Sequence, residues 1–120
     1  MALKKLNPSL YKNKVENPNE TVYEIINAQD GLGWGLAIAD IKESELHVHQ
    51  QIKEVYTILE GRLELDLDGN LHQLKEGESI EILPKVKHKA KSLGQDPARI
   101  VALSFPAWTP EDHHIIKGGE

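Results

Sequence analysis

Turn residues divide the sequence into short segments, and this division constrains the fold more than any other feature. Several segments are rich in β-branched or aromatic residues, and none shows a long helical period. In Arg62–Asp68 the alternation is clean, with Leu63, Leu65 and Leu67 on one face and charged side chains on the other. The next segment, Asp68–Asn70, is a hairpin signal. Many short strands of this kind predict an antiparallel sandwich or barrel.

Nine strands are predicted between the turns: Thr21–Asn27, Trp34–Ile41, Leu46–His49, Val55–Leu59, Arg62–Asp68, Leu71–Leu74, Ser79–Leu83, Val86–Ser92 and Ala98–Phe105. Residues 1–20 are polar and predict an N-terminal arm with room for one short strand. Residues 21–120 predict a single domain, because a chain of this length has no room for a second core. Near the C-terminus, Thr109 precedes Pro110 and two acids, which predicts a capped helix of one or two turns.

Composition excludes several classes of function. The chain has no cysteine, and therefore no disulfide, thiolate nucleophile or thiolate metal ligand. A formal net charge of -5 argues against nucleic acid or an anionic membrane as the main partner. No apolar run approaches the ~20 residues that span a bilayer, and the first residues lack the apolar stretch of a secretory signal. We therefore expect a cytoplasmic protein that binds a small-molecule ligand.

The segment Lys85–Lys91 predicts the direction in which one histidine points. Its four lysines alternate with Val86, His88 and Ala90, so an extended strand places the lysines on one face and these three on the other. Lysine ammonium groups are strongly disfavoured in a core, which makes the lysine face the solvated one. His88 is therefore expected to point inward. The lysine face could also attract an anionic substrate.

A second segment supplies two more histidines and a carboxylate. His47 and His49 share a face if their segment is extended, and a four-residue bend separates His49 from Glu54. The bend allows Glu54 to begin a neighbouring strand and face the same interior, with Tyr56 on the same side. Burying these imidazoles and this carboxylate without partners would cost folding free energy. A divalent cation would bind the imidazole nitrogens and pair with the carboxylate. Taken singly, an inward histidine can instead be a hydrogen-bonded structural residue, and Glu54 a surface charge.

These residues resemble the two sequence motifs of the cupin superfamily. The first motif corresponds to His47, His49, Glu54 and Gly61, and the second to Gly77, Pro84 and His88. The resemblance, to small single-domain bacterial cupins with a germin-like barrel, implies an all-β double-stranded β-helix (jelly-roll) ending in a short C-terminal helical turn. It also implies four ligands for one metal ion: His47, His49, Glu54 and His88.

The resemblance is specific for fold and unspecific for function. Nitrogen and oxygen ligands without sulfur suit one divalent transition metal: Mn, Fe, Ni, Zn or Co. One hypothesis is a metal-dependent enzyme, of isomerase or dioxygenase type, acting on a sugar, sugar phosphate or organic acid, with Tyr56 as the candidate acid or base. Tyr56 can equally be a packed strand aromatic. The alternatives are a non-catalytic sugar or small-molecule binding module and a structural protein.

The remaining histidines and the two tryptophans have structural interpretations as well as functional ones. His72 is expected at the surface, and His113 and His114 are expected at the surface or an interface unless one closes over the barrel mouth. Trp34 and Trp108 are expected in the core, although either could line a sugar pocket.

We also expect a homodimer, because the core of so short a barrel is small. The strand Thr21–Asn27 could extend a partner's sheet and cover its exposed edge.

Overall fold

The computed structural model describes residues 3–117, which form eleven strands and two single turns of 3-10 helix. The strands are β1 (Asn13–Asn17), β2 (Glu20–Ile26), β3 (Gly35–Ile41), β4 (His47–Val48), β5 (Lys53–Glu60), β6 (Leu63–Leu67), β7 (Asn70–Leu74), β8 (Ser79–Ile82), β9 (His88–Ser92), β10 (Ala98–Phe105) and β11 (His114–Ile115). The 3-10 turns are Ala28–Asp30 and Pro110–Asp112. Within the described chain, no helix is long and apolar enough to cross a membrane.

The strands form two antiparallel sheets. The larger sheet has the order β1-β2-β3-β10-β5-β8, and the smaller has the order β11-β4-β9-β6-β7. Several neighbours within a sheet, such as β3 and β10 or β4 and β9, come from distant parts of the chain, as in a jelly roll. The predicted all-β jelly-roll fold is confirmed, and each of the nine predicted strands corresponds to an observed one. Ala98–Phe105 has the predicted bounds, and the other eight have shifted bounds.

The hydrophobic core lies between the sheets and comes from the inward faces of both. Leu63 and Leu65 on β6 are fully buried, as their alternation predicted, and Ile58 on β5 and Ile100 on β10 meet them from the larger sheet. The β6–β7 hairpin turns on Asp68 and Gly69, both of which have positive φ. Two such residues in a two-residue loop match the right-handed twist of a hairpin.

Two segments outside the predicted strands extend the sheets. β1 pairs along its whole length with β2, so that residues 13–17 of the predicted arm add an edge strand to the larger sheet. β2 is therefore hydrogen-bonded on both sides, to β1 and to β3. The expectation that this strand offers its edge to a partner is wrong, because β1 is the edge strand. At the other end of the chain, β11 pairs with β4.

The C-terminal helix is a single turn, at the short end of the predicted length. Pro110–Asp112 forms one 3-10 turn, and the side chain of Thr109 makes no capping hydrogen bond. The predicted capping role of Thr109 is therefore wrong. The carboxylate that follows it, Asp112, is used elsewhere in the fold.

Candidate metal centre

The structure brings together all four residues predicted as metal ligands. His47 begins β4, His49 follows β4, Glu54 lies near the start of β5 and His88 begins β9. His47 and His88 are direct partners in the smaller sheet, and Glu54 reaches them from the larger sheet. Each can offer one ligand atom such that these atoms all lie within 4.8 Å of one another. All four side chains are buried, and His88 is only 1% exposed.

The inward direction of His88 follows from the lysine alternation. His88 and Ala90 are buried, whereas Lys85, Lys87 and Lys91 are exposed. The strand begins only at His88, because Lys85 adopts a left-handed conformation with φ of 72° and starts a turn. The prediction of the buried face is therefore confirmed even though the predicted strand is too long at its beginning.

Backbone carbonyls orient the three imidazoles. The Nδ1 atoms of His47, His49 and His88 lie 2.7, 2.8 and 3.1 Å from the carbonyl oxygens of Glu45, Asp112 and Val86. A carbonyl can only accept, so each Nδ1 carries the proton and each neutral ring presents an Nε2 lone pair. This hydrogen bond on the far ring nitrogen is the usual partner of a metal-binding histidine.

The Nε2 atoms converge on the Glu54 carboxylate. A lone pair on Nε2 and a carboxylate oxygen are both acceptors, so they cannot hydrogen-bond to each other. Glu54 Oε1 lies 3.2 Å from His49 Nε2 and 3.3 Å from His88 Nε2. Nε2 of His88 is completely buried and has no hydrogen-bond partner among residues 3–117. A buried lone pair beside a carboxylate oxygen is unfavourable, and a shared cation would relieve it. The residues thus fit a divalent metal, which they would hold with three nitrogens and one carboxylate.

The shifted pKa values in the cluster favour an ionised Glu54 and a neutral His47, which are the forms that bind a cation. Burial raises the pKa of the Glu54 carboxyl, but His49 and His88 outweigh burial and lower it to about 2. Burial and the neighbouring His88 lower the pKa of His47 to about 3. Burial lowers the pKa of His49 too, but Glu54 and the carbonyl of Asp112 outweigh it and leave that pKa above its ordinary value. A carboxylate and a neutral His47 are therefore available over a wide pH range.

Asp112 ties the C-terminal segment to the bend between the ligands. Its carboxylate accepts hydrogen bonds from the backbone N–H groups of Gln50, Gln51 and Ile52 at 2.9, 3.0 and 3.1 Å. Its own carbonyl accepts the Nδ1–H of His49. One residue thus sets both the path of the bend and the orientation of a ligand. This role of Asp112 was not predicted, because it depends on a contact between residues more than sixty positions apart.

The C-terminal segment also covers the mouth of the site. The ring of His113 stacks on that of His47, with centroids 4.5 Å apart and an angle of 25° between the planes. Trp108 Nε1 donates to Nδ1 of His113 at 3.4 Å, and both residues line the cavity. The expectation that His113 lies at the surface is wrong, since it is half-buried beside the ligands, whereas His114 and His72 are exposed as expected.

Tyr56 lies beside the cluster, as predicted. It is 7% exposed, lines the cavity and donates a hydrogen bond from its hydroxyl to Glu54 Oε1 at 3.5 Å. Burial, with Glu54 and Glu20 nearby, raises the pKa of this phenol well above its ordinary value. The hydroxyl therefore keeps its proton.

The cavity beside the cluster measures about 280 Å³, close to the lower limit of roughly 300 Å³ for small-molecule sites. β2, β3 and β10 supply mainly small apolar walls, such as Val22, Ala39 and Ala102. Two carboxyl side chains of β2, Glu20 and Glu24, also line it. Neither glutamate was predicted as a cavity residue. Glu20 was expected in the N-terminal arm, and Glu24 in the strand Thr21–Asn27 without an assigned role.

Comparisons with known proteins agree with this architecture. The family model described as the cupin domain matches residues 38–106, which is more than half of the chain. An uncharacterized protein of Methanocaldococcus jannaschii is 39% identical over 72 residues, covering 60% of this chain and 58% of that protein. The chain spans about half the length of the curated relatives it matches.

Solved structures share the fold at low sequence identity. A protein from Planctomyces limnophilus has a TM-score of 0.77 at 20% identity, covering 94% of this chain and 96% of that one. The nucleoside dehydratase Pac13 from Streptomyces has a TM-score of 0.77 at 9% identity, covering 95% of this chain and 91% of that one.

The fold and the buried cluster define a small barrel with a candidate metal centre of three histidines and one glutamate. With the family match, the chain belongs to the cupins.

Proposed function

We propose that this cupin is a metal-dependent enzyme acting on a small, oxygen-rich molecule, with His47, His49, Glu54 and His88 as the ligands of one divalent metal. The observation that carries the proposal is the shared orientation of the imidazoles. Three Nδ1–H groups are held by backbone carbonyls, and the Nε2 atoms are left facing one buried carboxylate. A structural histidine cluster would have no reason to leave Nε2 of His88 unpaired.

The donor set indicates the kind of metal. Three imidazoles and one carboxylate without sulfur suit octahedral Mn(II), Fe(II), Co(II) or Ni(II) with positions open to a ligand, and zinc also accepts these donors. Such a metal supplies a Lewis acid or an oxygen-activating centre for a substrate that binds through two of its oxygens.

The residues around the cluster favour catalysis of isomerase or dioxygenase type over simple binding. The Tyr56 hydroxyl lies beside Glu54 and retains its proton, so it is placed to donate it to a substrate oxygen. Trp108 and His113 line the cavity beside the cluster, where they could shield part of a bound substrate from water. Pac13, which shares the fold, is an enzyme that acts on a nucleoside.

The first experiment is metal analysis of protein purified without a chelator or a histidine tag. We expect about one metal ion per chain in the wild type. In His49→Ala the loss of affinity should exceed the roughly 10–100-fold typical of changes to residues that hydrogen-bond the metal ligands. His72→Ala is the matched control, because His72 is exposed on β7, outside the cluster. Equal metal content in the two variants, or none in the wild type, would refute the metal centre.

Turnover then separates an enzyme from a binding module. An enzyme shows substrate turnover or oxygen uptake that depends on the metal and disappears in His49→Ala but not in His72→Ala. A binding module shows ligand-induced thermal stabilisation without turnover.

We also propose a homodimer, formed through the free edge of β1 or another exposed surface. Val15 on β1 is 49% exposed, which leaves apolar surface for a partner at this edge. Light scattering that returns the monomer mass of 13.5 kDa at micromolar concentration would refute the dimer.

A further inference from the structure

The charge lining the cavity restricts the ligand that can enter it. Besides Glu54, three carboxyl side chains line the cavity: Glu20, Glu24 and Glu45. The chain has 14 Lys and Arg residues, yet no Lys or Arg among the described residues lines the cavity. The metal centre therefore offers the only compensation that the described part of the chain provides for a ligand's negative charge.

Among these acids, Glu20 is the half-buried group available to a ligand, because Glu45 is exposed to solvent. Glu24 Oε1 already accepts hydrogen bonds from the side-chain amides of Asn13 and Asn27, both at 3.2 Å. Glu20 is half-buried and makes no hydrogen bond or ion pair within residues 3–117. Burial, together with the charges of Glu54 and Glu45, raises the pKa of its carboxyl, so it holds its proton to a higher pH than a surface carboxyl does.

The candidate metal cluster borders the same cavity, because His47, His49 and Glu54 all line it. A ligand in this space thus meets two different groups: a set of Lewis-basic atoms suited to a cation, and a carboxyl group on β2. Apolar side chains of β3 and β10 also line the cavity.

On the basis of the proposed metal centre, we propose that Glu20 is a ligand-recognition residue and that the cavity takes a neutral or cationic ligand, such as a hydroxy ketone, polyol or amino alcohol. Oxygens at one end of the ligand reach the metal, and a hydroxyl or ammonium group at the other end pairs with the Glu20 carboxyl. Phosphate esters and dicarboxylates are disfavoured, because their second negative charge would face carboxyl groups with no cation beside them.

The test is calorimetric titration of the metal-loaded protein with two matched pairs of probes. The pairs are dihydroxyacetone with its phosphate ester, and ethanolamine with phosphoethanolamine. We expect each phosphate ester to bind at least about tenfold more weakly than its parent, since a like charge in a poorly solvated site opposes it.

Two substitutions at position 20 then test the residue itself. Glu20→Gln keeps the shape and removes the charge, so ethanolamine binding should fall more than dihydroxyacetone binding. Glu20→Lys should narrow or reverse the preference against the phosphate esters. Glu16→Gln and Glu16→Lys are the controls, because Glu16 is exposed on β1 and does not line the cavity. They should bind every probe as the wild type does.

The outcomes separate this inference from the proposed function, because metal content is measured first. Failure to hold metal refutes the metal centre, and this inference with it. If metal is held, three results overturn the inference alone. A phosphate ester could bind as tightly as its parent, both Glu20 variants could bind like the wild type, or the wild type could bind none of the probes.

Discussion

Removing the Asp112 carboxylate should destabilise the fold and the metal centre together. In Asp112→Ala three backbone N–H groups lose a charged acceptor. Gln50 and Gln51 are exposed, so water replaces the acceptor there at little loss. Ile52 is only 2% exposed, and leaving its N–H unpaired costs about 1–3 kcal/mol. With the two weaker contributions, we expect unfolding free energy to fall by about 2–4 kcal/mol.

The measurement is urea unfolding of the metal-free protein, compared with Asp112→Asn and Glu111→Ala. Asparagine keeps one carbonyl acceptor but no charge, so about half of the loss should return. Glu111 is the matched control, since it is the adjacent acid, is exposed, and makes no hydrogen bond with a described residue. Asp112→Ala keeps the backbone carbonyl that orients His49 but releases the segment that carries it, so metal affinity should also fall by about 10–100-fold.

Unfolding free energy and metal affinity together test whether Asp112 has both roles. Stability and metal affinity in Asp112→Ala that match those of Glu111→Ala would show that the carboxylate neither holds the bend nor positions the histidine. A loss of stability with unchanged metal affinity would refute only the link from the bend to the ligand.

Three further outcomes follow from other parts of the structure. Metal affinity should rise with pH and level off above the pKa of His49, because this raised pKa makes His49 the first metal ligand to be protonated as the pH falls. Metal titrations in which binding releases no proton would contradict this. Arg99→Met should lower the free energy of unfolding by about 3 kcal/mol in urea, since it leaves the Asp40 carboxylate, 13% exposed, without its bidentate partner; an unchanged midpoint would contradict this. Gly35→Ala should destabilise by about 1–3 kcal/mol, because the added Cβ would lie 2.6 Å from a hydroxyl oxygen on β10, whereas Gly94→Ala meets nothing within 4 Å; equal unfolding curves would contradict this.

Much of the metal centre could be predicted because side-chain alternation in strands is local. The lysines of 85–91 cannot all be buried, which fixes the face of His88 without knowledge of the rest of the fold. The same alternation predicted that His47 and His49 share one face of their strand. The hydrogen bonds that orient these imidazoles could not be predicted, because the carbonyl beside His49 comes from Asp112, 63 residues away.

The acidic wall of the cavity shows where alternation alone fails. Along β2, Glu20, Val22, Glu24 and Ile26 share one face, and Thr21, Tyr23 and Ile25 share the other. Judged by hydrophobicity, the face with two glutamates would be the solvated one. The structure directs it into the cavity instead, because β1 and β3 hold β2 within the larger sheet, and the cavity accommodates carboxyl groups that a packed core could not.

Family membership therefore predicts the candidate metal centre of this chain better than the small molecule that it binds. The segment matched by the cupin model, residues 38–106, contains all four metal-ligand candidates. Glu20 and Glu24 precede it, and Trp108 and His113 follow it, yet all four line the cavity. A ligand held at the metal would also meet these flanking side chains. Substitutions outside the matched segment should thus change which ligand binds, while those at His47, His49, Glu54 and His88 should change whether metal binds at all.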